Sequence, residues 1–204
     1  MSFCEFENLG EPSHPGGLRL TDRAARLAGV SCGQKLLDIG CGSGLSLAYL
    51  ASKFGVTPHG IDISNKLIGF ARQRLEDANF SVGDASSLPY AGGFFDVVFC
   101  ECVLSVVKNP SSAICEMLRV LRSGGVLVVS DVCHKDDFPE IQDMFLNAGF
   151  VITNFNEHKA ALITYAAEAY SAGSGSPCGV PSENPINPAC RNSTYYLIIC
   201  QRSD

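Results

Sequence analysis

From residue 35 onward, short apolar runs alternate with stretches in which apolar residues return every three or four positions. Runs of about four to eight apolar residues read as buried strands, and the longer spacing reads as amphipathic helix. Their alternation predicts βαβ units and a parallel sheet. The predicted strands are 35–39, 58–62, 79–82, 96–100 and 126–131, with two more at 150–157 and 194–201. Between them, Ser64 reads as the N-cap of a helix carrying Leu67, Ile68, Ala71 and Leu75 on one face. Asn109 and Pro110 open a helix whose stripe of Met117, Leu118 and Leu121 is expected to stop at Gly124. Further helices are expected at 138–147, ending before Gly149, and at 160–170. The expected fold class is α/β, doubly wound, with helices on both faces of the sheet.

The ends differ from the middle. Residues 1–20 carry Pro12, Pro15, Gly16 and Gly17 and read as a loop leading to a short helix capped by Thr21. Residues 171–193 form a long stretch rich in Gly, Pro, Ser and Asn between the last two strands, of the kind used as a lid or binding loop. No internal repeat is visible, and the 204 residues are expected to form a single domain.

Composition narrows the function classes. A hydrophobic fraction of 46% with 18% charged residues supports a real core. A net charge of −6 argues against a nucleic-acid footprint, which needs a basic surface. No apolar run reaches the roughly 20 residues of a membrane helix, and the first residues resemble no secretory signal. A cytoplasmic protein with no nucleic-acid or membrane partner is the expectation. The 10 cysteines are scattered and form no CxxC pair, so no metal site is expected and reduced thiols are the plain reading.

The chemistry concentrates in LLDIGCGSG, residues 36–44. A buried strand ends in Asp38, and Gly40, Gly42 and Gly44 then form a turn at the mouth of the next helix. Glycines permit unusual backbone angles and let a ligand approach the main chain. Asp62 ends the second strand some 20 residues on, where a carboxylate can accept both ribose hydroxyls. Asp84 follows the third strand. A dinucleotide fingerprint would need a third glycine at position 45, which is Leu45.

In this order, LLDIGCGSG, GIDIS, VGDASSLP, FDVVFCECVL and RVLRSGG resemble class I S-adenosylmethionine-dependent methyltransferases, especially the small type compared with ubiquinone and menaquinone biosynthesis enzymes. The resemblance implies a Rossmann-like, mostly parallel seven-stranded sheet in the order 3-2-1-4-5-7-6, its last strand antiparallel. It implies S-adenosylmethionine as cofactor, S-adenosylhomocysteine as product, and a small-molecule acceptor. Asp38 would help hold the methionine amino group, and the main chain of Gly40, Cys41, Gly42 and Gly44 would lie along the carboxypropyl and ribose parts. Asp62 would take the ribose hydroxyls, Ile63 would pack on adenine, Asp84 would accept from the adenine amino group, and the Ala85 amide would donate to the ring. Cys100 would offer its carbonyl near the methionine end. Ser123 stands where this family more often has proline.

The acceptor should enter over the C-terminal ends of the strands. Glu101, Cys102 and His134 are the candidate catalytic residues there, and Asp131 reads as a loop support. Glu101 could address a cationic or hydroxylated acceptor or be a solvated acid on a following helix, and His14 could be a base at the same mouth or, the plainer reading, a loop histidine in solvent. FCECVLSVVKNP also resembles arsenite methyltransferases locally, with Cys102 at a cysteine of that family. This implies an alternative in which Cys102, with Cys133, Cys178, Cys190 or Cys4, holds a soft acceptor such as trivalent arsenic. A zinc or disulfide staple between Cys178 and Cys190, and a non-catalytic module that only binds the cofactor or a metal, stay open as well.

Overall fold

The computed structural model describes residues 14–171 and 192–203. Seven strands make one sheet: β1 (Lys35–Ile39), β2 (Thr57–Asp62), β3 (Asn79–Val82), β4 (Phe95–Glu101), β5 (Leu121–His134), β6 (Phe150–Glu157) and β7 (Ser193–Arg202). Their order is β3-β2-β1-β4-β5-β7-β6, as expected. The pairings from β3 across to β5 are parallel, and β7 runs antiparallel between β5 and β6. The helices are α1 (Gly17–Leu27), α2 (Leu45–Phe54), α3 (Asn65–Arg74), α4 (Pro110–Val120), α5 (Phe138–Ala148) and α6 (Lys159–Ser171).

Helices on both faces explain why the central strands are apolar without alternation. In β7, Tyr195, Leu197 and Ile199 join a core with Ala24 and Ala25 of α1 and Leu47 and Leu50 of α2. The intervening Tyr196, Ile198 and Cys200 join a second core with Ile114 and Met117 of α4 and Phe145 of α5. Each face takes half of the side chains from Tyr195 to Cys200, so this stretch of the strand carries no charged residue and no alternation. Two caps act as expected: Ser64 Oγ accepts from the Leu67 amide at 3.3 Å, and Asn109 Oδ1 from the Ser112 amide at 3.1 Å.

Several boundaries fall elsewhere than expected. Helix α1 begins at Gly17, behind Gly16 in a left-handed conformation, so Thr21 is an interior helix residue and not its cap. Helix α4 ends at Val120, and Gly124 lies inside β5 instead of closing a helix. Leu121 already pairs with Phe95, and a register shift between Phe95 and Val97 absorbs the polar, glycine-rich residues that resemble a turn in sequence. Glu101 is the last residue of β4 and not the start of a helix. His134 is the last residue of β5.

Helix α6 leaves the C-terminal end of β6 and returns over the α1 side of the sheet. Its Leu162 is 5% exposed and packs in the same core as Ala24 and Tyr195. The His158 amide, just before the helix, donates to the Tyr195 carbonyl at 2.6 Å. Among the described residues, no helix is long and apolar enough to cross a membrane. The expected lid stretch falls almost wholly outside the described residues, and Cys4, Cys178 and Cys190 lie outside them too.

If Leu162 seats α6, Leu162→Ala lowers stability by about 2–4 kcal/mol, the range for a leucine removed from a core. Urea denaturation followed by circular dichroism measures it. A loss below about 0.5 kcal/mol would mean that the helix is not anchored through this side chain.

Candidate functional site

The turn after β1 is tied to the end of β2. The amides of Gly40 and Cys41 both donate to the Ile61 carbonyl, at 2.8 and 3.1 Å. Asp62 completes the tie: one carboxylate oxygen accepts from the Gly42 amide at 2.9 Å, the other from the Ser64 amide at 2.8 Å. Two glycines show why the sequence needs them. At Gly40, φ is +72° and an added Cβ would lie 2.2 Å from Val103 Cγ2. At Gly42, φ is +54° and an added Cβ would meet nothing within 4 Å. The first glycine is required by packing, and the second faces open space beside the turn.

Three acids converge above this turn. Asp38, at 4% exposure, has its carboxyl pushed well above the usual carboxylate range, first by burial and then by the charges of Glu101 and Asp62. Among the described residues, none donates a hydrogen bond to it. Glu101 is not the solvated acid of one sequence reading, for its side chain is 5% exposed. The Thr21 hydroxyl lies 3.1 and 3.2 Å from its two carboxylate oxygens, and His14 Nε2 lies 3.5 Å from one of them. His14 is likewise buried and not a solvated loop residue. Its Nε2 is also 3.3 Å from Thr21 Oγ1 and 3.5 Å from Ser46 Oγ, and its Nδ1 is 3.3 Å from the Pro15 carbonyl. Thr21 and Ser46 are not legible as site residues in sequence, because their partners are distant along the chain and no local spacing marks them.

The remaining expected residues surround the same turn. Ile63 is 75% exposed, an apolar side chain left in solvent at the end of β2. One oxygen of Asp84 accepts from the Ser86 amide at 2.7 Å, while Ala85 is buried. The Cys41 and Cys100 thiols are buried, and burial foremost, with nearby carboxylates adding, raises both far above the ordinary thiol range. Such thiols stay protonated and act as small apolar groups.

The acceptor-side candidates are less gathered. Cys102 adopts a left-handed conformation, φ +57°, unusual for a residue with a side chain. Its amide donates to the Ser130 carbonyl at 2.8 Å, and its Sγ lies 3.5 Å from the Tyr195 hydroxyl. Asp131 supports the loop after β4, accepting from the Ser105 amide at 2.9 Å and the Val132 amide at 2.7 Å. His134 is exposed at the end of β5, opposite Ser193. Cys133 is half-buried, and burial, ahead of Asp137 and Asp131, pushes its thiol up to about 12. Among the described residues, no three His, Cys, Asp or Glu side chains are grouped to hold a metal ion.

Comparison with known proteins agrees with this geometry. Residues 37–129 match the model of a methyltransferase domain. Methyltransferase GfsG of Streptomyces halstedii is 37% identical over 137 residues, covering 64% of this chain and 49% of that protein. Demethylmenaquinone methyltransferase of Renibacterium salmoninarum is 32% identical over 147 residues, covering 71% of this chain and 62% of that protein. The chain thus spans only about half to 62% of the length of these two relatives. The crystal structure of the [4+2]-cyclase SpnF superposes with a TM-score of 0.81 at 23% identity, covering 91% of this chain and 80% of that one, a likeness of fold. The strand order, the acid-and-glycine turn after β1, the acids after β2 and β3, and the methyltransferase-domain match over residues 37–129 together support a class I S-adenosylmethionine-dependent methyltransferase.

Proposed function

We propose that the chain transfers a methyl group from S-adenosylmethionine to a small organic acceptor. One observation carries the reading: Asp38, a buried carboxyl group to which no described residue donates a hydrogen bond, sits beside a glycine turn that leaves open space at Gly42. A buried unpaired carboxylate is costly, and an ammonium group beside it removes that cost. The methionine amino group of the cofactor is such a cation. NAD(P) offers no ammonium for Asp38, which speaks against the dinucleotide alternative.

The other residues fit the same molecule. A carboxylate has about four acceptor sites, and Asp62 uses two on Gly42 and Ser64, which leaves two for ribose hydroxyls. Ile63 offers its exposed side chain to one face of adenine. Asp84 has an oxygen beyond its bond to Ser86 for the adenine amino group, and the Ala85 amide can donate to the ring. The main chain of Gly40, Cys41, Gly42 and Gly44 lines the path between amino-acid end and ribose, and the Cys100 carbonyl borders the amino-acid end.

When bound, the cofactor supplies a methyl group on a positively charged sulfur. The protein's part is to align the attacking atom with that methyl and to keep water out. Elements over the strand ends do this: the start of α1, the loop held by Asp131, and α6. The acceptor is a small molecule on this reading, because a net charge of −6 gives no attraction for nucleic-acid phosphates.

Calorimetric titration with S-adenosylmethionine tests the reading, with NADH as control. Micromolar binding of the first and none of the second is expected, and the reverse result overturns it. Asp62→Ala is expected to weaken cofactor binding by about 1–3 kcal/mol, the scale of charge-assisted hydrogen bonds. Gly42→Val is expected to abolish binding, since its side chain fills the open space and strains the turn; retained affinity would remove the turn from the site. Cys102→Ser is expected to leave cofactor affinity and methyl transfer to organic acceptors nearly unchanged. Turnover with arsenite that disappears in this variant would instead establish the thiol-held acceptor.

Asp38 also predicts a pH dependence. Its carboxyl binds a proton more tightly in the folded than in the unfolded chain. The resulting stability is present at low pH and is lost as pH rises from about 4, the unfolded value, toward the higher folded one. Asp38→Asn should therefore make the cofactor-free protein more stable than wild type at pH 7 and less sensitive to pH across that window. The same variant should weaken cofactor binding by at least about tenfold, roughly 1.4 kcal/mol. Urea denaturation at pH 5 and 7 and calorimetry check the two halves separately.

A further inference from the structure

Among the described residues, Cys102 is the one non-glycine with a left-handed backbone, φ +57°. Such strain persists only where the surroundings enforce it. Two strands beyond β4 do so here. The Cys102 amide donates to the Ser130 carbonyl of β5 at 2.8 Å. On β7, the Tyr195 hydroxyl donates to Ser130 Oγ at 2.9 Å, and its oxygen meets Cys102 Sγ at 3.5 Å. Ser130 and Tyr195 are both wholly buried.

The strained residue turns the chain off the end of β4 and sets the next one, Val103, against the glycine turn. A Cβ added at Gly40 would lie 2.2 Å from Val103 Cγ2 but 3.5 Å from Val103 Cβ, so it is the methyl that rests on Gly40. Two residues further on, Asp131 of β5 holds the Ser105 amide at 2.9 Å, which fixes Val103 from its other side. Across the turn, the Gly40 amide donates to the Ile61 carbonyl at 2.8 Å. Gly40 is thus gripped between the end of β2 and the loop after β4, and β5 and β7 hold that loop.

Resting on the methyl-transfer reading above, we propose that Val103 is a positioning residue for S-adenosylmethionine, and that Tyr195 acts through Cys102 to seat it. Val103 holds the Gly40 backbone in the conformation in which the main chain of the turn receives the cofactor. A turn fixed before its ligand arrives loses less freedom on binding, which raises affinity without any added contact to the ligand. Strand β7 thereby acts on cofactor binding although β4 and β5 lie between it and β1.

The test uses the full chain, with each variant shown to be folded by circular dichroism before titration. Calorimetry of the wild type with S-adenosylmethionine comes first, and absence of binding removes the methyltransferase reading and this proposal with it. Once the wild type binds, the remaining results bear on the proposal alone. Val103→Ala is expected to weaken binding by about tenfold. A side chain that only added stability would lower the urea midpoint and leave the affinity of the folded chain unchanged. Gly40→Ala should cost about tenfold less affinity in the Val103→Ala chain than in the wild type, since its Cβ then meets only Val103 Cβ at ordinary contact distance. If Gly40→Ala alone does not fold, recovery of a folded, cofactor-binding chain on adding Val103→Ala carries the same meaning, and a double variant that stays unfolded counts against the proposal. Tyr195→Phe and Cys102→Ala should each weaken binding by about three- to tenfold, the scale of one hydrogen bond, and the chain carrying both should lose no more than either alone. Unchanged affinity in Val103→Ala or Tyr195→Phe, an equal cost of Gly40→Ala in both chains, or additive losses from Tyr195→Phe and Cys102→Ala would each overturn the proposal.

Discussion

Three acidic side chains at the ends of three adjacent strands constrain the upper edge of this sheet. Asp38, Asp62 and Glu101 end or nearly end β1, β2 and β4, and the strands are paired, so their carboxylates cannot move apart. Each meets the problem differently. Asp62 is stabilised by two backbone amides, and in being so it shapes the glycine turn. Glu101 is held by Thr21 and faces His14, which brings the start of α1 down onto the sheet. Among the described residues Asp38 has no such partner, and burial with the neighbouring charges raises the affinity of its carboxyl for a proton instead. A cluster of acids suits a ligand with a cationic centre, and both the ammonium and the sulfonium of S-adenosylmethionine qualify.

How much of this is legible in sequence follows from which interactions are local. The strands are readable because burial on both faces makes them continuous apolar runs, and Ser64 and Asn109 mark helix starts because a cap acts within three residues. The acid and glycine positions are readable because turn and carboxylates are fixed to strand ends. Thr21 misleads for the same reason that Ser64 does not. A threonine before an apolar stripe has the local signature of a cap, but here its hydroxyl is used by Glu101, 80 residues away. The start of β5 is hidden because Arg122, Ser123, Gly124 and Gly125 carry the composition of a turn, while β5 pairs with β4 on either side of them, at Leu121 and again from Val126. His14 reads as solvated because nothing in HPGG reveals that a folded partner covers it.

Two kinds of element meet at the upper edge of the sheet. Residues suited to the cofactor stand on β1, β2, β4 and their adjoining turns, whose backbone is locked by sheet pairing. A cavity beside His14 is walled by the start of α1 and by α6, which touch the sheet through side chains such as Leu162.

The position of β7 has a consequence for how the chain is made. β6 is an edge strand whose one neighbour in the sheet is β7, and β7 is also what separates it from β5. While the chain is being synthesised, β6 and the outer edge of β5 must wait until residues 193–202 have been added. At about 5–20 residues per second, that delay lasts a few seconds. During it, both strands present unpaired backbone, and β5 does so along the segment that carries Leu127, Val128 and Val129, all fully buried in the finished fold. Whatever protects the nascent chain has to act there and then, before the last strand slides between two edges that already exist.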